Sequence, residues 1–254
     1  MGNCVLSWRN FADQATLSGG SWAGTMPLAN LLDPTLGVKA RSVDDAAAST
    51  QFDADLASST GVGLFGLVGH NLSAGASFRL RASNTAGTFA TPLYDSGTVS
   101  VWGSAYLASD VPWESDGWWL GVITFTGLEA GGTAFIHILP TETAARYWRL
   151  EIFDTANSAG YIEAGRLFAG QAWRPTYNFS FGASLGYMDE SVIETALAGS
   201  EYFDVRPVRR TVALRFESLT DAEAWTQMLD MQRLRGITGE VLFLWDPTDP
   251  AYTL

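Results

Sequence analysis

Asp110, Glu114 and Asp116 lie close together in the chain, interleaved with Trp113, Trp118 and Trp119. Indole faces stack on sugar rings and carboxylates accept hydrogen bonds from sugar hydroxyls, so this cluster could grip a saccharide. Two of the carboxylates facing one another across a glycosidic bond would make a hydrolase. The competing reading is packing. The tryptophans then bury an insertion against the rest of the fold or against a neighbouring subunit, and the acids stay in water.

Asp53 and Asp55 are two residues apart. On a strand both point to one side and could help hold a structural calcium ion, with Asp44 and Asp45 nearby as further oxygen donors. Solvated carboxylates at a strand edge are the alternative, and no other cofactor is implied. Arg206, Arg209 and Arg210 form the one basic cluster. It could pair with the acidic surface of an adjacent copy, or with Glu201 and Asp204 in its own segment. The two histidines both read as structural. His70 stands in a Gly-His-Asn turn that its ring can tie to backbone, and His137 in the strand-like run Phe135–Leu139. Neither has a nucleophile and orienting partner at recognisable spacing. Walker and His-Glu-x-x-His patterns are absent. No catalytic residue is assigned, and the chain reads as a non-enzyme.

The elements that must carry these residues are mostly strands. Ser77–Ala82 alternates strictly, Phe78 and Leu80 on one face and Arg79 and Arg81 on the other. Arg146–Phe153 repeats the pattern, with Trp148, Leu150 and Ile152 facing inward. Val62–Val68 is apolar throughout and predicts a central strand covered on both sides. Thr211–Glu217 and Glu240–Trp245 predict two further strands. One helix is well signalled over about residues 220–235: Thr220 and Glu223 make a capping box, and Gly236 supplies the left-handed stop. The composition shifts near Gly170, which predicts a β-sandwich over 1–170 with a Trp-rich insertion at about 101–143. A smaller β-rich assembly segment follows over 171–254.

Twenty-seven acidic against 15 basic side chains give a formal net charge of −12. Such a balance repels phosphate backbones, so nucleic acid is not an expected partner. Apolar runs fall well short of the roughly 20 residues that span a bilayer. Neither a signal peptide nor a full myristoylation pattern is recognisable at the start, where Leu6 replaces the required Ser or Thr. Cys4 is the only cysteine and cannot form an internal disulfide; it reads as a small buried residue of a first strand. Ten tryptophans are more than one core of this size uses, and tryptophan is enriched at interfaces.

Several segments, in order, resemble the galactose-binding-like (discoidin-type) jelly roll as it occurs in bacteriophage tail proteins. They are Asn30–Pro34, Phe52–Leu56, Leu64–Leu72 with its Gly69-His70-Asn71 turn, Phe78–Ala82, Tyr94–Gly97, Ala145–Leu150 and Gly165–Gly170. The resemblance implies a mainly β chain, a galactose-binding-like sandwich followed by a smaller β-rich segment with one α-helix. It implies a virion structural protein of the tail tip or baseplate, made in the bacterial cytoplasm without a signal peptide. Its partners would be other tail proteins, further copies of itself and host-surface glycans. The alternative is a free-standing carbohydrate-binding module or adhesin.

Overall fold

The computed structural model describes residues 2–102, 134–197, 199–206 and 208–247, and at Arg210 the backbone alone. Ten strands precede residue 171: β1 (Val5–Ser7), β2 (Thr16–Ser18), β3 (Ala40–Arg41), β4 (Phe52–Val68), β5 (Ser77–Ser83), β6 (Tyr94–Asp95), β7 (Val99–Ser100), β8 (Ala134–Phe153), β9 (Glu163–Ala164) and β10 (Arg166–Gly170). Five follow: β11 (Ser184–Met188), β12 (Val192–Thr195), β13 (Glu201–Asp204), β14 (Arg209–Ala213) and β15 (Leu242–Leu244). The chain is mainly β. It divides into two compact units, Met1–Arg174 with Asp230–Leu254, and Pro175–Leu229.

In the first unit seven strands form one antiparallel sheet, ordered β10-β4-β8-β5-β6, with β2 joined to β4 and β7 to β5. β4 has 17 residues and β8 has 20, several times the usual length of about 5–6. Their register pairs Ala54 with Trp148 and Phe65 with His137. A flat sheet at about 3.3 Å per residue would leave Phe65 roughly 35 Å from Trp148. Instead their rings stack with centroids 6.2 Å apart. Phe78 pairs with Ile152, yet its ring lies 4.7 Å from Phe135 near the other end of β8. The sheet is therefore folded over on itself, and its two halves face each other as a β-sandwich.

The creases are register shifts in the β4–β8 ladder between Asp55 and Thr60 and between Val62 and Leu64. Extra residues on one strand bend it and sharpen its twist. At the first crease Ala57 adopts a left-handed backbone, φ 64°, and its N–H donates to Asp55 Oδ1 at 2.9 Å. The alternating segments bury the expected faces: Phe78, Leu80 and Ala82 from β5, and Trp148, Leu150 and Ile152 from β8. Val62, Leu64, Phe65 and Leu67 are buried as well, as a strand covered on both sides requires. Residues 134–143 belong to the β8 ladder and so lie in the sandwich sheet, not in the insertion expected over 101–143. At the other end of the chain β15 pairs antiparallel with β1, Val5 opposite Leu244, within this same unit.

The second unit holds two separate two-stranded antiparallel sheets, β11–β14 and β12–β13. The strand expected over Thr211–Glu217 is Arg209–Ala213; Val212 is 42% exposed, while Leu214 and Phe216 are half-buried between the exposed Arg215 and Glu217. The helical run comprises Asp221–Glu223, a π turn at Ala224–Met228 and Leu229–Arg235. The capping box forms as expected, with Thr220 and Glu223 bonding each other's backbone N–H, and Gly236 at φ 52° follows the last turn. None of the helical residues is buried, Trp225, Met228 and Leu229 included.

Candidate functional site: a polar cleft at the crease of the sandwich

A cleft of about 460 Å³ opens beside the first crease of β4, with Ser58, Thr60 and the buried Leu56 on the crease side. The opposite wall comes from the N-terminal segment and from Arg235 at the end of the helical run. Asn10 anchors that wall. Its Oδ1 accepts from the N–H groups of Ala12 (3.1 Å) and Ala169 (3.0 Å), and its Nδ2 donates to the Leu167 carbonyl (2.9 Å) and to Asp13 (3.1 Å). With every polar atom engaged, Asn10 fixes the 3₁₀ turn Phe11–Gln14 against β10. Phe11 is thereby presented to the cleft half-buried, and Gln14 exposed.

Two guanidinium groups line the cleft. Arg9 donates through Nη2 to Asp230 at 2.6 Å, and Arg235 donates through Nε to the Trp8 carbonyl. Asp230 also accepts from Arg233 at 2.9 Å and from the Trp8 indole at 3.4 Å. These bonds, Arg233 and then Arg9 foremost, hold its carboxyl at a pKa of about 2. A third arginine lies behind the wall. Arg166, 2% exposed, donates to the Leu32 carbonyl (2.5 Å), to Glu240 (2.8 Å) and to Asp13. Burial works to lower its pKa, but the bonds to Glu240 and Asp13 outweigh that and raise it. Asp13 therefore shares Arg166 with Glu240 where it borders the cleft. Among the lining residues two guanidinium groups stand against one carboxylate, with Arg166, Arg233, Asp33, Asp230 and Glu240 behind them.

A second cleft, of about 350 Å³, is walled by Gly63, Leu139, Pro140 and Ala172, with Glu142 and Arg174 as its charged groups. It offers no convergent set of polar donors.

The residues singled out by sequence fare differently. Trp113, Trp118, Trp119, Asp110, Glu114 and Asp116 lie outside the described residues. Asp53 and Asp55 do share a face, and each is held by an arginine through two bonds. Arg149 reaches Asp53 at 2.6 and 2.7 Å, and Arg146 reaches Asp55 at 2.7 and 2.9 Å. The Arg146 bond pulls the Asp55 carboxyl below its ordinary pKa. Among the described residues no three His, Cys, Asp or Glu side chains converge as a metal group. Asp44 accepts from the Ala46 N–H at 3.0 Å. Arg206 bonds Asp204 at 3.0 Å, the local pairing foreseen as one alternative, and Arg209 bonds Glu190. Arg210 pairs through its backbone with Tyr187.

His70 accepts the Leu72 N–H on Nδ1 at 3.2 Å, and its buried Nε2 has no hydrogen-bond partner among the described residues. The rings of Trp102 and Phe135 lie 5.3 and 5.9 Å away, and burial pulls its pKa down to about 4. His137 bonds the Tyr94 hydroxyl through Nε2 at 2.6 Å. Both histidines therefore tie structure together. Sequence reasoning gave no site role to Arg9, Arg166 or Arg235. Their roles depend on residues 10, 13, 230 and 240 meeting in space, which no local spacing announces.

No protein-family model and no curated protein matches the chain. Solved structures do show likeness. The CBM32-1 domain of a family 31 glycoside hydrolase from Clostridium perfringens is 11% identical, with a TM-score of 0.43, over 64% of this chain and 98% of that one. The lectin domain of lectinolysin, complexed with Lewis B antigen, is 15% identical with a TM-score of 0.42, over 65% and 98%. The family 32 module of C. perfringens NanJ, in complex with galactose, is 12% identical with a TM-score of 0.41, over 65% and 98%.

Proposed function

We propose that the protein is a non-enzymatic assembly protein, a rigid β-sandwich carrying a second unit that other chains cover. Following the segment resemblance, the particle is a bacteriophage tail tip or baseplate. One observation carries this reading. In the second unit Phe181 and Leu197 are fully exposed, and Leu185, Tyr187, Ile193, Tyr202 and Phe203 are largely so. Exposed apolar side chains on short two-stranded sheets with unpaired edges are the mark of a surface completed by another chain. Light scattering on the full chain across a concentration range tests it. A discrete oligomer, or a complex with a neighbouring tail protein, is expected. A strict monomer that binds none of those proteins overturns it.

A second, compatible reading is that the sandwich contacts glycans, as a carbohydrate-binding module does. The arginine-lined cleft with its amide, hydroxyls and half-buried aromatic ring favours it, since saccharide recognition combines such polar groups with an apolar face.

A further inference from the structure

We infer that the cleft at the β4 crease binds an acidic saccharide, with its carboxylate or phosphate held between Arg9 and Arg235 and its hydroxyls bonded by Ser58, Thr60 and Gln14. The inference rests on the glycan-contacting reading and adds a place and a charge to it.

The charge follows from the donors. A guanidinium carries five N–H groups in a planar fork that matches carboxylate and phosphate oxygens. Arg9 uses one nitrogen on Asp230, and Arg235 uses Nε on the Trp8 carbonyl. Most donors of both groups are left for a ligand, while Asp230 and the backbone fix where they stand. Asp13, the one carboxylate among the described lining residues, is bonded to Arg166, which softens its repulsion of an anion. Asp230 balances Arg9, but Arg235 is bonded to a backbone carbonyl and keeps its charge for a ligand, and a cation would be repelled by it.

The saccharide part follows from the rest of the lining. The Thr60 hydroxyl donates to the Ser58 carbonyl at 3.2 Å and lies 3.2 Å from the Ser58 hydroxyl, so both oxygens keep lone pairs that can accept from sugar hydroxyls. Phe11 supplies a partly exposed ring. The volume of about 460 Å³ lies within the range of about 300–1,000 Å³ typical of small-ligand sites.

The test is a calorimetric titration of the full chain with glucuronate, glucose 6-phosphate and, as neutral control, glucose. At least one anion should bind about tenfold more tightly than glucose. The better of the two shows whether carboxylate or phosphate is the natural group. Arg235→Gln should cut that affinity at least about tenfold, and raising the salt should weaken it. Because Arg9 and Arg235 also brace the wall, Thr60→Val serves as a second variant. It should weaken saccharide binding while leaving inorganic phosphate binding unchanged. Glucose binding as tightly as the anions, with Arg235→Gln silent, overturns the site and leaves glycan contact standing elsewhere. No binding of any of the three overturns both.

Discussion

In the sandwich Trp148, Phe52 and Phe168 are at most 1% exposed, whereas between residues 175 and 229 Tyr187, Tyr202, Phe203 and Trp225 are 60% exposed or more. Both regions are built from β-branched and aromatic residues on antiparallel strands. What separates them is a second layer. β4 and β8 are long enough to fold over and cover themselves, while β11–β14 and β12–β13 are lone pairs of strands. Two-stranded sheets are marginal in water without a packed face. The same residue types therefore stabilise one region from within and leave the other to be stabilised by what it meets.

The largest expected effect comes from substituting one aromatic in each region. Trp148→Ala removes a fully buried ring stacked on Phe65, and should cost about 3–5 kcal/mol in urea unfolding monitored by fluorescence. Phe203→Ala should change stability by no more than about 0.5 kcal/mol, because its ring is exposed in the lone chain. Its effect should appear instead as weaker association in light scattering. If Phe203→Ala unfolds the isolated chain as severely as Trp148→Ala, the second unit has a core of its own and the contrast fails.

The contrast also marks what could be read from sequence. Alternation in Ser77–Ala82 and Arg146–Phe153 names the buried face correctly because a sandwich face lies against each of them. In Thr211–Glu217 the alternating Leu214 and Phe216 are only half-buried and Val212 is exposed, since periodicity reports which residues share a face and says nothing about how fully it is covered. The helix was legible from Thr220, Glu223 and Gly236 because capping is local. Pairing of β1 with β15, and the Asp13–Arg166–Glu240 cluster, join residues more than 70 apart and have no local signature. The cleft inherits that illegibility, being assembled from the N-terminal segment, the β4 crease and the end of the helical run.

An intermediate effect should appear on acidification and should belong to the sandwich. His70 has a folded pKa of about 4 against an ordinary value of 6.5, so between those values the unfolded chain binds a proton that the folded chain does not. Stability should rise with pH across that window and be lost as pH falls from about 6.5 toward 4, by at most about 3 kcal/mol. Asp55 and Asp95 have lowered pKa values, that of Asp95 to about 2 through its bonds to Arg79. Their contributions are present above an ordinary carboxylate value of 3.8 and fade only below it, outside the histidine window. His70→Asn keeps an acceptor for the Leu72 N–H but does not titrate. Its stability should be flat from pH 6.5 to 4, and an unchanged slope would assign the acid sensitivity to another group.

The smallest effect sharpens the comparison at the sandwich surface, where charge rather than burial is at stake. Arg149 holds Asp53 through two bonds and lies 4.5 Å over the Phe89 ring, while Arg81 bonds Glu151 and the Phe89 carbonyl. A cation at Asp53 would have to displace a guanidinium already fixed by a carboxylate and a ring. Asp53→Asn should therefore cost less than about 1 kcal/mol, as half-exposed pairs do, and the cost should shrink further in high salt. Calcium and a chelator should leave the thermal melting of the native chain unchanged. A melting point raised by calcium in the native chain and not in Asp53→Asn would mean that the arginine yields to the metal. The carboxylates of β4 would then be ligands after all, and the arginines opposite them placeholders for the ion.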